Sequence, residues 1–296
     1  MHGKILPGLL VTLALTGFSC SRSTPESTQA KTQQTPVAEP QTTVNQVIRK
    51  TAPYKRPEKR ILYIVSNPAT LKGFPVGFFA EELTRPFFDF VQVGYRVDLA
   101  SPQGGKVEFD GFSDPENEGT FYPNDLVTIG FRHHPEFGQL MENTMPISEV
   151  NVNDYDAVCV AGGGGPLVTF KDDEKLHQLI ADFYEQEKVV GMLCHGTSLL
   201  LWTRLSDGTL LADGKTWTGY SDAEEEMNNE AAGGIKINEY TIETEAKKNP
   251  NTNYEAAGPL EPFAIRDGRL ITGQQQHSSA LFSELVIEAL SETKQA

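Results

Sequence analysis

Lys188 to Leu201 reads Lys-Val-Val-Gly-Met-Leu-Cys-His-Gly-Thr-Ser-Leu-Leu-Leu, and its reading decides the fold. The apolar run Val189 to Leu193 predicts a short buried strand. Cys194 and His195 stand at its end, Gly196 permits a tight turn, and Thr197 and Ser198 suit the opening of a helix. Leu199 to Leu201, Trp202 and Leu205 would form the inward face of that helix. A cysteine on such a corner has its sulfur pushed out of the sheet and faces a helix N-terminus. The positive end of the helix dipole favours thiolate over thiol, and the thiolate is the nucleophile. This is the geometry of a serine nucleophile elbow with sulfur in place of oxygen.

Working outward, Arg60 to Ser66, Tyr95 to Ala100 and Asp156 to Ala161 read as further strands. Pro75 to Val91 reads as a helix with Phe78, Phe79, Leu83, Phe87 and Phe90 on one side, kinked or divided at Pro86. Asp172 to Glu187 and Ser278 to Leu290 have helical patterns, and Asp110 to Val150 reads as irregular. Asp267-Gly268, between two apolar runs, is a hairpin signal. Alternating strands and helices predict an α/β fold with a mostly parallel sheet.

The formal net charge of -15 excludes a phosphate-backbone binder, which needs clustered Lys and Arg. The three cysteines, 20, 159 and 194, form neither a disulfide framework nor a zinc-finger spacing. Cys159 lies between Val158 and Val160 and reads as core. Residues 1–20 form an apolar leader, too short and too broken by Pro7 for a spanning helix. The leader ends Thr-Gly-Phe-Ser-Cys, which resembles a bacterial lipoprotein signal with Cys20 as the lipidated residue; cleavage after Ser19 by ordinary signal peptidase is the alternative. Residues 21–57 are rich in Ser, Thr, Gln and Pro and read as a flexible tether, leaving 58–296 as the folded domain. The expected location is the bacterial cell envelope, anchored by lipid on the periplasmic side, or secretion.

Several segments together resemble the ThiJ/PfpI superfamily, within the class I glutamine amidotransferase-like fold. They are Gly77-Phe78-Phe79-Ala80-Glu81-Glu82 with Pro86, Gly94 to Pro102 with Gly104-Gly105, and Tyr155 to Val158 leading into Gly162 to Gly165. Cys194-His195-Gly196, Thr218 to Asp222 and Asp267 to Gln274 complete the set. The last two motifs and the long middle insertion are similar to the glyoxalase III and heat-shock chaperone branch. The chain departs from that branch at Gly164, where a His is usual, and at Gln275-Gln276, where Asn-Pro is usual. The resemblance implies a flavodoxin-like three-layer sandwich, a homodimer, and a small aldehyde substrate handled without a cofactor.

It also implies site residues. Cys194 is the nucleophile and His195 its proton-handling neighbour, oriented by an acid some thirty residues later. That acid falls on Glu225, with Glu224 and Glu226 as competitors or all three as a solvated helix start. Glu82 reaches the cysteine from the first helix. A carboxyl among Phe78, Phe79 and Phe87 should have a raised pKa, whereas Glu81 reads as exposed. The glycine run lacks a Gly-Lys-Ser/Thr ending, so it reads as backbone approaching substrate: N–H groups of Gly163, Gly164 and His195 would form an oxyanion hole. His133, His134 and Glu136 read as loop residues with no metal role. The activity implied is a glutathione-independent glyoxalase or deglycase that takes methylglyoxal-type 2-oxoaldehydes to 2-hydroxy acids. The alternatives are an envelope holdase chaperone and a cysteine-dependent amidase or peptidase.

Overall fold

The structure, a computed structural model, describes residues 58–292. The leader with Cys20 and the tether lie outside the described residues. The chain runs β1 (Arg60–Ile64), β2 (Ala69–Leu71), β3 (Phe74–Val76), α1 (Ala80–Gln92) and β4 (Arg96–Ser101). It continues α2 (Leu126–His133), α3 (Phe137–Glu142), β5 (Met145–Pro146), β6 (Ala157–Val160), α4 (Pro166–Thr169), α5 (Glu174–Glu185) and β7 (Val189–Leu193). A 3₁₀ helix (Cys194–Leu201) follows, then β8 (Thr216–Trp217), α6 (Asp222–Ala231), α7 (Ile242–Ala246), β9 (Asn253–Tyr254), β10 (Ala264–Asp267), β11 (Leu270–Gly273) and α8 (Ser279–Ser291).

The central sheet has the order β10-β11-β7-β6-β1-β4-β5 and is parallel except for the β10–β11 hairpin. Every residue of β6 and β7 is buried, as expected of parallel strands covered on both faces. The chain leaves β1 through α1 towards β4, but crosses from β6 through α5 to β7 in the opposite direction. Right-handed crossovers therefore put α1 and α5 on opposite faces. Helix α8 packs beside α1, closing a three-layer α/β sandwich. The reversal lies between β1 and β6, and a crevice at the carboxyl ends of strands there is where such folds bind ligands.

Three sequence expectations are corrected. The first helix starts at Ala80, not Pro75; Phe74–Val76 pair with Ala69–Leu71 as a hairpin. Tertiary hydrogen bonds hold the stretch before α1 extended. The N–H of Gly165 donates to the Gly77 carbonyl (2.7 Å), that of Phe79 to Gly162 (3.1 Å), and that of Ala80 to Ser113 Oγ (2.9 Å). Nor does Pro86 divide the helix. Its missing N–H frees the carbonyl of Glu82, one turn earlier, and the buried Tyr63 hydroxyl donates to that carbonyl instead. Finally, the stretch read as irregular contains α2 and α3. Asp125 caps α2 at the N–H groups of Val127 and Thr128, while Phe131 and Phe137 pack edge-on against Phe87 of α1.

Candidate active site

Strand β7 delivers Cys194 to the carboxyl end of the sheet, where the chain turns sharply. Cys194 itself adopts the left-handed conformation, with φ at 53°, a region a side chain normally avoids. Gly196 serves a different purpose from the turn expected of it. A Cβ there would lie 2.9 Å from the Ala161 carbonyl, so glycine lets the corner sit on the end of β6. The element that follows is a 3₁₀ helix, and Thr197 caps nothing; its hydroxyl donates back to the Cys194 carbonyl at 2.6 Å.

Three groups converge on Cys194. From α1, Glu82 is fully buried and accepts the Gly162 N–H on Oε2 at 2.7 Å. Its other oxygen, Oε1, is buried with no hydrogen-bond partner, and the carboxyl lies close enough to the Cys194 thiol for each to shift the other's pKa. Burial pushes Glu82 up to about 7, against the neighbouring Cys194 thiol and the Gly162 N–H, which hold it down. From the corner itself, His195 Nδ1 lies 3.6 Å from the sulfur and Nε2 lies 2.9 Å from Glu225 Oε1. From the glycine run, the N–H of Gly163, with that of His195, points at the sulfur. Gly162 is where these parts meet. A Cβ on it would fall 2.6 Å from the His195 nitrogen, 2.7 Å from Cys194 Cβ and 2.8 Å from Glu82 Oε2.

The thiol is not the ready thiolate that the corner alone suggested. Burial, then the charge of the neighbouring Glu82, raise its pKa well above the usual range; the two N–H groups offset this only in part. The sequence reading placed Glu82 at the cysteine but took the helix dipole to decide the thiol's ionisation; burial and the Glu82 charge outweigh it. The hydrogen-bond donors are also corrected. The N–H of Gly164 turns to Asp110 Oδ2 at 3.5 Å, leaving Gly163 and His195 as the pair at the sulfur.

Helix α6 separates the acidic candidates. Glu225 holds His195 and accepts Asn238 Nδ2 on its second oxygen at 2.6 Å. Burial opposes a charge on His195, but the Glu225 carboxylate outweighs it and raises the imidazole pKa. Glu224, equally buried, forms a capping box with Ser221 and accepts from Leu260 N–H (2.9 Å) and Gln274 Nε2 (3.0 Å). It ties α6 to the end of β11 and makes no hydrogen bond to His195. Glu226 is exposed, and Glu81 is half-buried rather than exposed.

A cavity of about 580 Å³ opens over the cysteine, lined at this end by Cys194, His195, Gly163, Tyr220, Tyr122 and Asp110. Three of these escaped the sequence reading. Tyr220 lies against the His195 ring (4.3 Å between centroids), and the Tyr122 hydroxyl accepts from Gln276 Nε2 at 2.8 Å. Asp110 is buried, which raises its pKa against hydrogen bonds from the N–H groups of Phe112 and Gly164. Only Tyr220, inside the Thr-Gly-Tyr motif, carried a signal. Gln275 is structural, donating to the Glu261 carbonyl and accepting the His277 N–H.

The remaining cysteine and the other histidines make contacts of their own. Cys159 is core, with burial raising its thiol pKa. His177 bonds the Phe170 carbonyl and His277 the Leu260 carbonyl. His133 engages Glu116 at 2.7 Å, and His134 accepts N–H groups from Glu136 and Phe137. Among the described residues no group of three His, Cys, Asp or Glu side chains could hold a metal ion.

The same arrangement of elements and motifs is found in known proteins. A glyoxalase 3 from Candida albicans is 30% identical over 220 residues, covering 73% of this chain and 91% of that protein. The glutathione-independent glyoxalase HSP31 of Saccharomyces cerevisiae is 28% identical over 218 residues, 71% of this chain and 89% of the relative. The crystal structure of the Candida albicans glyoxalase III superposes with a TM-score of 0.63 at 27% identity, covering 78% of this chain and 97% of that one. The model of the DJ-1/PfpI family matches residues 76–289, from the β3 strand into the last helix. With the Cys194 corner, the glycine run and Glu82 falling within that match, the chain belongs to the DJ-1/PfpI family, on its glyoxalase III branch.

Proposed function

We propose that the protein is a cofactor-independent, glutathione-independent glyoxalase that converts 2-oxoaldehydes of the methylglyoxal type to 2-hydroxy acids. The observation that carries this reading is the buried Glu82 carboxyl on the Cys194 thiol, its pKa near the operating pH where a general base works best. The relatives named as glyoxalases over most of their length support it.

The residues divide the chemistry as follows. Sulfur adds to the aldehyde carbon while the thiol proton passes to Glu82 and on to the new hydroxyl, giving a hemithioacetal. The N–H groups of Gly163 and His195 favour the negative charge that develops during this addition. Glu82, again ionised, removes the hydrogen from that carbon, and an enediol forms. The proton returns to the neighbouring carbon, leaving a thioester of the 2-hydroxy acid. Water hydrolyses the thioester and restores the thiol. His195, held with its charged form favoured by Glu225, supplies and recovers the proton on the substrate oxygen. The sum is one 2-oxoaldehyde plus one water giving one 2-hydroxy acid, with no external oxidant.

The test is lactate formation from methylglyoxal by the full chain in glutathione-free buffer, beside Cys194→Ser. Lactate from the wild type alone is expected; a folded wild type that makes none would end the assignment. Placement at the cell envelope through Cys20 is proposed from the leader sequence alone. Fractionation of Cys20→Ala cells tests it, since the variant should leave the membrane fraction.

A further inference from the structure

The cavity over Cys194 is far larger than methylglyoxal requires. That molecule has five non-hydrogen atoms. At about 30 Å³ for each water-sized atom it fills on the order of 150 Å³, against about 580 Å³ available. The polar groups gather at the cysteine end. Most of the remaining wall is apolar and comes from separate segments: Phe74 and Val76 of the β2–β3 hairpin, Met227 of α6, Ile237 and Leu260 of loops, with Asn228 and Asn238 the amides beside them. Phe112 and Phe121 stack at 5.6 Å and 12° and line the cavity while remaining 47% and 65% exposed, so they stand at its mouth. No Lys or Arg lines it, and the carboxyl of Asp110 does. An anionic substituent against the apolar wall would lose its hydration and meet no Lys or Arg, and His195, at the cysteine end, is already paired with Glu225.

Resting on the glyoxalase reading above, we infer that the substrate is an uncharged 2-oxoaldehyde whose ketone carbon bears an aromatic or branched alkyl group. The cysteine end binds the two carbonyls, and the apolar wall takes the substituent. The reaction balances as before: phenylglyoxal plus water gives mandelate, the aldehyde carbon being oxidised as the ketone carbon is reduced. The 2-hydroxy acid product is anionic, and with no Lys or Arg in the lining and the Asp110 carboxyl beside it, its release is favoured.

The experiment compares kcat/KM for phenylglyoxal and methylglyoxal on the full chain, wild type and Met227→Glu. The inference expects the wild type to favour phenylglyoxal at least about tenfold, the scale of apolar pocket discrimination. Met227 is 43% exposed, so the glutamate is tolerated by the fold, and its charge in the wall should pull the ratio towards one. Turnover of methylglyoxal with no preference for phenylglyoxal overturns the inference and leaves the glyoxalase reading intact. If neither compound is turned over, calorimetry with the unreactive ketols 2-hydroxyacetophenone and hydroxyacetone separates the two. At least about tenfold tighter binding of the aromatic ketol upholds the apolar specificity while the glyoxalase reading falls, and equal binding ends both.

Discussion

Replacing Glu82 with Gln should make the protein more stable, its cysteine more reactive and its catalysis poorer. Gln keeps the oxygen that accepts the Gly162 N–H and the volume that fills the buried site. It removes the charge. Burial lifts the folded-state carboxyl from 4.5 to about 7. An acid with a raised folded-state pKa holds its proton more tightly when folded. Its destabilising effect is therefore absent below about pH 4.5, grows as pH rises through about 7, and persists above. At about 1.36 kcal/mol per pH unit, this displacement is worth about 3 kcal/mol. In a domain of this size that corresponds to roughly 6–12 °C in Tm. Denaturant unfolding of wild type and Glu82→Gln between pH 4 and 8 isolates the effect, because other titrating groups are common to both. The two curves should converge at pH 4 and separate in favour of the variant by pH 7.5. Because the Glu82 charge also raises the thiol pKa, iodoacetamide should alkylate Cys194 faster in the variant at pH 7. Turnover should nonetheless fall by about 10²–10⁴, the usual contribution of a general base. Equal stability at pH 7.5, or slower alkylation of the variant, would refute the view of Glu82 as a destabilised, charge-bearing partner of the sulfur.

Three further perturbations probe the supports of the site. Glu225→Gln should lower the His195 pKa towards its ordinary value, read by imidazole NMR, and reduce turnover about 10²-fold or more, since the imidazole loses the anion that holds its charge. Tyr63→Phe leaves the buried Glu82 carbonyl without a donor and should cost about 1–3 kcal/mol in denaturant unfolding; adding Pro86→Ala restores a helix N–H and should recover most of it. Gly162→Ala drives a methyl group into the His195 nitrogen, Cys194 and Glu82; turnover should fall about 10²-fold while circular dichroism stays native, the scale expected when reacting groups are displaced by about 1 Å.

The parts that the sequence made legible are those governed by local pattern. Strand β7 could be read to the residue because a parallel strand covered on both faces is a continuous apolar run. The hairpin through Asp267-Gly268 and the helix closing the chain followed from turn chemistry and periodicity. Glu82 was legible as a carboxyl on an aromatic helix face. Features set by distant partners were not. The start of α1 depends on the glycine run some eighty residues later, which captures the backbone of Gly77 and Phe79. Glu224 and Glu225 are both buried on one helix turn, and only their neighbours, Gln274 for one and His195 for the other, assign their roles. Asp110 enters the cavity from a stretch without periodic pattern. The ionisation of Cys194 required knowing both its burial and the carboxylate beside it.

The pair of backbone hydrogen bonds between the start of α1 and the end of β6 has a consequence for the order of folding. Gly77 and Phe79 are made early, yet their partners at Gly165 and Gly162 follow only after β4, α2 and α3. Ring closures of that length are entropically costly and are rewarded only once the intervening elements have docked. The Cys194 corner is therefore assembled late, after most of the secondary structure is in place. In a refolding reaction, recovery of activity should lag behind recovery of the far-ultraviolet signal. During that interval Cys194 has neither the burial nor the Glu82 contact that raises its pKa, so the thiol is more open to chance electrophiles in the immature chain than in the finished enzyme.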